Sequence, residues 1–216
     1  MTPDQPQAPS TKPNKPHMAQ GKRLLMEAAA RLAARHGCAQ SVSLRELARE
    51  AGLNHNTFYR HFDSLDDMLG HIVDTFGQQL RDGLAQARRD APSVQEMSTT
   101  VVAWLLDFAQ AHSDVFVVAM RERYGPPGPL RTAVTSMLQQ LQDDMLIELN
   151  ARQALPPLPE ATLRPVLALI VDQTLKTCFE HLEAPQDRAR RLTEAKALFD
   201  TLMLGTAARL AMSASK

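Results

Sequence analysis

Seven polar side chains crowded between Asn54 and His61 are the residues of this chain best suited to chemistry. Amides, hydroxyls, imidazoles and a guanidinium donate and accept the hydrogen bonds through which proteins contact base edges and phosphates. Phe58 and Phe62 are four residues apart, so on a helix both point away from that polar face, into a core. The segment predicts a short helix that fits a DNA groove, with a polar face made of Asn54, His55, Asn56, Thr57, Tyr59, Arg60 and His61.

The elements that would position this face are readable on either side of it. Ser43, followed by Glu46 three residues later, is a capping box that predicts a helix beginning at Leu44. Gly52 stands where the chain must reverse, a position that often needs positive φ. Asn54 can cap the next helix. The pattern predicts a helix-turn-helix.

On a helix-turn-helix the candidate contacts divide into two groups. Phosphates would be held by backbone amides at helix starts and by Lys22, Ser43, Tyr59 and His61. Base edges would be reached by Arg45, His55, Asn56 and Thr57, with Arg60 taking either a base or a phosphate. For Tyr59 and His61, packing between helices is a competing interpretation.

Charge is distributed in a way that suits this interpretation. The chain has 24 Lys and Arg against 24 Asp and Glu, and a net charge of zero alone argues against nucleic-acid binding. Between Lys22 and Phe62, however, seven Lys and Arg face three Glu. A local basic surface is what phosphate contact requires.

The remaining composition narrows the class of protein. Few glycines and aromatics beside many Ala, Leu, Gln and Arg favour an all-α fold. The two cysteines, Cys38 and Cys178, have no metal-like spacing, which indicates a reduced, cytoplasmic chain with two incidental thiols; no metal or cofactor is expected. No apolar run approaches the ~20 residues of a membrane span. The proline-rich stretch 1–17 lacks the apolar core of a signal peptide and predicts a disordered arm.

Caps, prolines and apolar spacing predict nine helices. Three form a head over residues 18–63, and the rest form a body over 64–216, which starts with a long linker helix capped by Ser64. The predicted helices cover about 18–36, 44–51, 55–61, 65–89, 93–111, 114–123, 130–153, 161–182 and 186–212.

In the body, apolar residues at helical spacing allow two interpretations. An ordinary helical core is one; the other is an apolar ligand pocket, since methionine adapts its shape and helical bundles enclose such sites. The candidate lining residues are Trp104, Phe108, Phe116, Met120, Met137 and Leu141. Arg121 and Arg123 could meet an anionic or carbonyl group of the ligand, or could belong to a solvated helix end.

Apolar stripes on the last two helices predict a homodimer. The first stripe comprises Leu163, Leu167, Ile170, Val171, Leu175, Phe179 and Leu182; the second comprises Leu192, Leu198, Phe199, Leu202, Met203 and Leu210. Paired with their copies these helices would form a four-helix bundle. Burial within one chain is the alternative.

The segment GLNHNTFYRHFDSLDDML resembles the signature of the TetR family, in which a glycine turn and helix end in an aromatic pair and His-Phe. The resemblance covers about residues 22–69 and implies a nine-helix fold and a regulator, usually a repressor, of a palindromic operator. Family members usually carry a phosphate-contacting lysine shortly after the His-Phe, where this chain has Leu65.

That substitution, with the segment VFVVAMRERYGPPGPLRTAV, resembles the FabR/DesT-like branch that governs unsaturated fatty-acid synthesis. The resemblance implies a long-chain acyl-CoA or acyl-carrier protein as effector. A different apolar effector, or a body that docks a protein partner, is the alternative. An enzyme is disfavoured, because the chain has no GxSxG, Walker loop or HExxH.

Overall fold

The computed structural model describes residues 15–151 and 159–214, and these are helical almost throughout. Eight α-helices and one longer 3₁₀ helix make nine helices in this part of the chain. The α-helices are α1 (Lys15–His36), α2 (Leu44–Glu50), α3 (Leu65–Asp90), α4 (Val94–Ala111), α5 (Ser113–Arg123), α6 (Pro129–Ala151), α7 (Glu160–Glu183) and α8 (Arg188–Ala214). The 3₁₀ helix His55–Arg60, named the recognition helix below, lies between α2 and α3. The predicted all-α, nine-helix fold is confirmed.

Side-chain caps fix where several helices begin, as the sequence predicted. Ser43 Oγ accepts from the amide of Glu46 at 3.2 Å, and Ser64 Oγ accepts from the amide of Asp67 at 3.0 Å. Asn54 Oδ1 accepts from the amide of Asn56 at 2.9 Å. Each bond satisfies an amide that has no partner within its own helix.

The first helix begins earlier than predicted. α1 starts at Lys15 and not at Met18, so three residues of the proposed disordered arm are helical. Pro16 is compatible with this start, because a first helical turn needs no amide donor from proline. The rest of that arm, residues 1–14, lies outside the described residues, as do residues 152–158 and 215–216.

Helices of the head and helices of the body pack against each other. α1, α2 and the recognition helix pack together as the head, and α3 leads from it into the body. There α3 packs against α4 and α6, while α7 and α8 pack against α4. α5 lies between α1 of the head and α6 and α7 of the body. One continuous apolar core therefore runs from Leu25 in α1 to Cys178 in α7.

The apolar stripe on α7 belongs mainly to the core of a single chain. Leu163, Leu167, Ile170, Val171 and Leu175 are buried within the protomer. The interpretation of this stripe as dimer surface is corrected accordingly: these side chains already pack against α4, α6 and α8. Exposed large apolar residues in this region lie on α8 at Leu198, Leu204 and Met212, and on α7 at Leu169.

α4 and α5 meet in a sharp bend near His112. Within the described residues no single helix has the length and hydropathy to span a bilayer, and only the pair Glu96–Ala111 and Ser113–Arg123, bent by 100°, meets those criteria together. The bend directs α5 towards the head, where it packs against α1.

Candidate nucleic-acid interface

Two phenylalanines anchor the recognition helix from behind. Phe58 and Phe62 are almost wholly buried, and their ring centroids are 5.7 Å apart. Phe62 also packs against His71 of α3, and the ammonium of Lys22 lies 5.4 Å from its ring centroid. Aromatic rings bury large areas in fixed geometry, so they set the orientation of the opposite face.

That opposite face is open to solvent. Asn54, His55, Asn56, Tyr59 and Arg60 are exposed, and Tyr59 retains 58 % of its accessible surface. Tyr59 packs edge-on against His55 at 5.7 Å, so the two rings support each other without covering the polar edges. Five of the seven polar residues of the predicted face are thus brought together on one free face.

Thr57 and His61 are placed differently. Both are half-buried and face Gly21 of α1: a Cβ at position 21 would lie 3.1 Å from His61 Nε2 and 3.7 Å from Thr57 Cγ2. Gly21 therefore lets α1 approach the recognition helix closely. The position of His61 agrees with the alternative interpretation, in which its side chain packs between helices.

The surroundings of His61 disfavour its charged form. Burial, followed by the nearby cations of Lys22 and Arg60, lowers the pKa of His61 below its ordinary 6.5. At neutral pH the ring is accordingly neutral, and it can offer one donor and one acceptor.

Internal ion pairs leave only part of the head's positive charge free. Arg31 and Arg35 both bind Glu50, at 3.2 and 2.8 Å, and together they hold its pKa below the usual range. Arg23 binds Glu27 at 3.2 Å. Among the described residues, the head's lysine and arginine side chains without an ion-pair partner are Lys22, Arg45, Arg49 and Arg60. Three of these four were predicted contacts, and Arg49 was not assigned a role.

Ser43 and Leu65 lie on either side of the recognition helix in the chain, and each already has a structural role. Ser43, a predicted phosphate contact, is exposed and its hydroxyl already caps α2, as described above. Leu65, where the TetR signature usually has lysine, is half-buried and packs against the common core. Leucine at this position thus contributes to the apolar core.

In the body, the predicted pocket residues lie mostly within the core. Phe108, Phe116, Met137 and Leu141 are buried, while Trp104 and Met120 are half-buried. Trp104 stacks on Phe108 at 4.9 Å, and Phe108 packs against Phe76 of α3 at 5.2 Å. These aromatic side chains form one packed column beside α3.

The two arginines assigned to the ligand are bound elsewhere. Arg121 Nη1 donates to the carbonyl of Ala34 in α1 at 2.8 Å, and Arg123 pairs with Asp172 of α7. Both guanidiniums thus hold helices together. Arg121 is nevertheless exposed at the end of α5, which agrees with the alternative of a solvated helix end, whereas Arg123 is half-buried; contact of either with a ligand stays a prediction. Arg131 likewise donates to the carbonyl of Gly125 at 2.8 Å.

The described residues form clefts at the junction of head and body and beside α3. One, of about 460 Å³, opens at the junction of head and body and is lined by residues that include Arg35, Gln110, Asp114 and Leu182. The other, of about 260 Å³, lies between α3 and α6 beside Gly77, Arg81 and Met137. Met137 is the one predicted pocket residue that lines either cleft.

Two glycines of α3 are covered by side chains from other helices. A Cβ on Gly83 would overlap the indole of Trp104, and one on Gly77 would lie 2.8 Å from Cγ of Met137. Trp104 comes from α4 and Met137 from α6. These two contacts could not be predicted from the sequence, because a glycine in a helix does not show what packs against it.

The chain is similar to known proteins in its N-terminal sequence and in its fold. Residues 25–72 match the family described as bacterial regulatory proteins, tetR family. Over the whole fold, the fatty acid degradation regulator FadR from Bacillus halodurans is similar, with a TM-score of 0.67 at 18 % identity over 89 % of this chain and 97 % of that one.

Two further solved structures share the fold. A tetR-family transcriptional regulator from Streptomyces coelicolor has a TM-score of 0.66 at 22 % identity, covering 88 % of this chain and 83 % of its own. A putative TetR-family regulator from Syntrophomonas wolfei has a TM-score of 0.71 at 12 % identity, covering 86 % of this chain and 96 % of its own. At these identities the likeness concerns the fold.

Proposed function

We propose that this chain, a TetR-family transcription regulator by its N-terminal domain and its fold, represses genes by binding a palindromic operator as a homodimer. We further propose that a hydrophobic small molecule in the body adjusts its DNA affinity. The single observation that carries the DNA-binding role is the exposed polar face of the recognition helix, fixed from behind by Phe58 and Phe62.

On this proposal each exposed side chain has a defined partner on DNA. The amide of Asn56 and the guanidinium of Arg60 make paired hydrogen bonds to purine edges in the major groove. Lys22 and Arg49, which have no ion-pair partner in the described part of the head, contact phosphates on either side, and Arg45, likewise without such a partner, reaches a base edge. Ser43, His55, Thr57, Tyr59 and His61 complete the proposed contacts.

The proposed dimer uses α8. Leu198 and Leu204 expose large apolar surfaces, and Gly205 and Ala208, also exposed, allow a second helix to approach closely. A two-fold axis through this region would present two recognition helices to one operator, at half-sites about 34 Å or somewhat more apart.

The proposed effector acts through α3. Trp104 and Met137 rest on the backbone of this helix at Gly83 and Gly77, about 9 Å apart along its axis. A ligand that displaces either side chain changes what packs against α3, which continues into the head. It shifts operator affinity only if it binds one position of the heads better than the other.

The proposed chemical class of the effector is a long-chain acyl group, as in acyl-CoA. The lining that an acyl chain would meet is apolar and adaptable: Trp104, Phe108 and Phe116, with Met120, Met137 and Leu141. The charged end of the ligand would have to find partners other than Arg121 and Arg123, which are bound to Ala34 and Asp172. Control of lipid or unsaturated fatty-acid genes would follow from such an effector.

A two-stage experiment tests the proposal. A duplex is first selected from a random-sequence library by the purified protein, and its affinity is measured by fluorescence anisotropy at fixed salt. We expect a palindromic site with nanomolar affinity, and failure to enrich any sequence would refute the DNA-binding role. Acyl-CoAs and free fatty acids of increasing length are then added. If none changes the affinity, the lipid effector is excluded, and a different ligand or a protein partner takes its place.

A further inference from the structure

The end of α5 is the place where the body holds the DNA-binding head. Three successive residues there bind three different helices or turns. Arg121 donates to the carbonyl of Ala34 at 2.8 Å, and Glu122 Oε1 accepts from the amide of Ala39 at 3.4 Å. Arg123 pairs with Asp172 of α7.

Both bonds to the head satisfy backbone groups that a helix end leaves unpaired. The last carbonyls of α1 have no partner within the helix, and a guanidinium near them also complements the helix dipole. The amide of Ala39 opens the 3₁₀ turn Ala39–Ser41, where a carboxylate is the favoured partner. Between the two bonds lies Gly37, whose φ of +75° ends α1.

The position of these bonds in the chain makes them important for the head. Ala34 lies in the last turn of α1, and Ala39 lies in residues 37–43, which connect α1 to α2 of the helix-turn-helix. α1 itself touches the recognition helix through Gly21 and His61. Whatever holds the end of α1 therefore holds the orientation of the recognition helix relative to the body.

The last residue of α5, Arg123, is bound to the body. The pair between Arg123 and Asp172 ties this helix end to α7. α5 also packs against α6 and α7. A shift of the body helices is thereby passed through two adjacent residues to the head.

We infer that Arg121 and Glu122 are positioning residues that fix the orientation of the DNA-binding head by bridging the end of α5 to the carbonyl of Ala34 and the amide of Ala39. The inference rests on the proposed function for its effect on DNA affinity. The two residues would transmit a shift of the body helices to the head without themselves contacting a ligand.

Hydrogen exchange measured by mass spectrometry tests the bridge without DNA. In the Arg121→Ala/Glu122→Ala variant we expect exchange in peptides covering 34–45 to rise about two- to tenfold, the factor that follows from losing a net hydrogen bond. Peptides of α6 and α7 should keep their wild-type rates. The matched control is Arg131→Ala, which removes a bond from the same helix end without touching the head. Wild-type exchange at 34–45, or an equal rise throughout the chain, would overturn the inference.

Operator affinity tests the consequence for function. We expect the double variant to bind the selected duplex about tenfold more weakly, within the usual range of coupling between sites. Arg131→Ala should bind as wild type. The conservative variant Arg121→Lys/Glu122→Gln keeps a cationic donor and an oxygen acceptor, so it should restore most of the affinity. Unchanged affinity in the double variant would contradict the inference. If the wild-type protein binds no duplex at all, the proposed function fails, while the exchange result still decides the bridge.

Discussion

The indole of Trp104 occupies the space that a side chain at position 83 would fill. Gly83 lies in the middle of α3, where glycine lowers helix stability by about 0.5–1 kcal/mol relative to alanine. The structure explains why glycine is nevertheless suitable there: it lets the ring of α4 reach the backbone of the linker helix. The ring stacks in turn on Phe108, so the aromatic column of the body is in direct contact with the helix that leads to the head.

Replacing two glycines of α3 by alanine should have opposite effects. At Gly83 the added methyl overlaps Trp104, and we expect a loss of about 1–3 kcal/mol from overpacking. At Gly70, in the same helix, nothing lies within 4 Å of the added Cβ, so Gly70→Ala should gain about 0.5–1 kcal/mol. Thermal unfolding of the two variants measures the difference. A melting temperature that rises in both would show that Trp104 moves aside without cost.

Removing the guanidinium of Arg60 should weaken DNA binding while leaving the fold intact. The side chain is exposed and has no ion pair in the described structure, so Arg60→Ala should change stability by less than about 0.5 kcal/mol. Loss of a base contact would reduce operator affinity by about 1–3 kcal/mol, and loss of a phosphate contact would reduce the salt slope by about 1. Arg89→Ala, an exposed arginine at the far end of α3, serves as the control. Equal losses of stability and affinity would mark Arg60 as structural.

A charge on α8 should separate the protomers. Leu204 is 70 % exposed, and Leu204→Glu would place a carboxylate in the proposed interface with little effect inside the protomer. Light scattering should show a shift from dimer to monomer, accompanied by loss of operator binding. Ile147→Glu, at a similarly exposed apolar residue of α6, should remain dimeric. Should Leu204→Glu also remain dimeric, the interface lies elsewhere.

Acid should destabilise the head through His61. Burial, then Lys22 and Arg60, lowers its pKa in the folded protein, whereas the unfolded chain takes up the proton near 6.5. As the pH falls below about 6.5, His61 is protonated in the unfolded chain before it is protonated in the folded protein. The stabilisation present above that pH is therefore lost progressively until the pH reaches the pKa of His61 in the folded protein. An NMR titration of the His61 ring measures that pKa directly, and a value at or above 6.5 would refute the prediction. His61→Gln should reduce the dependence of stability on pH, though only in part, because burial also lowers the pKa of His112 and His181.

Local signals made the head predictable. Ser43, Asn54 and Ser64 each cap a helix as expected, and Gly52 has a φ of +65°. These features depend on residues two to four positions apart, so they are visible in the sequence. The resemblance to the TetR signature concerned the same stretch.

The body was less predictable because its contacts join distant residues. Arg121 and Ala34 are 87 positions apart, and no periodicity in the sequence indicates that Arg121 caps the helix that contains Ala34. The same limitation applies to the stripe of α7, since an apolar face for a partner chain and one for its own core have the same spacing. Burial in the folded chain separates the two.

The sequence by itself determined the helices, their caps and the face of the recognition helix, because these follow from neighbouring residues and hydrogen bonds within one or two turns. Tertiary structure decided which arginines of the head have no ion-pair partner, which apolar stripe is buried, and which hydrogen bonds join the body to the head. Those outcomes depend on which side chains meet after the helices pack, and the packing of Trp104 on Gly83 has no counterpart in the order of residues along the chain.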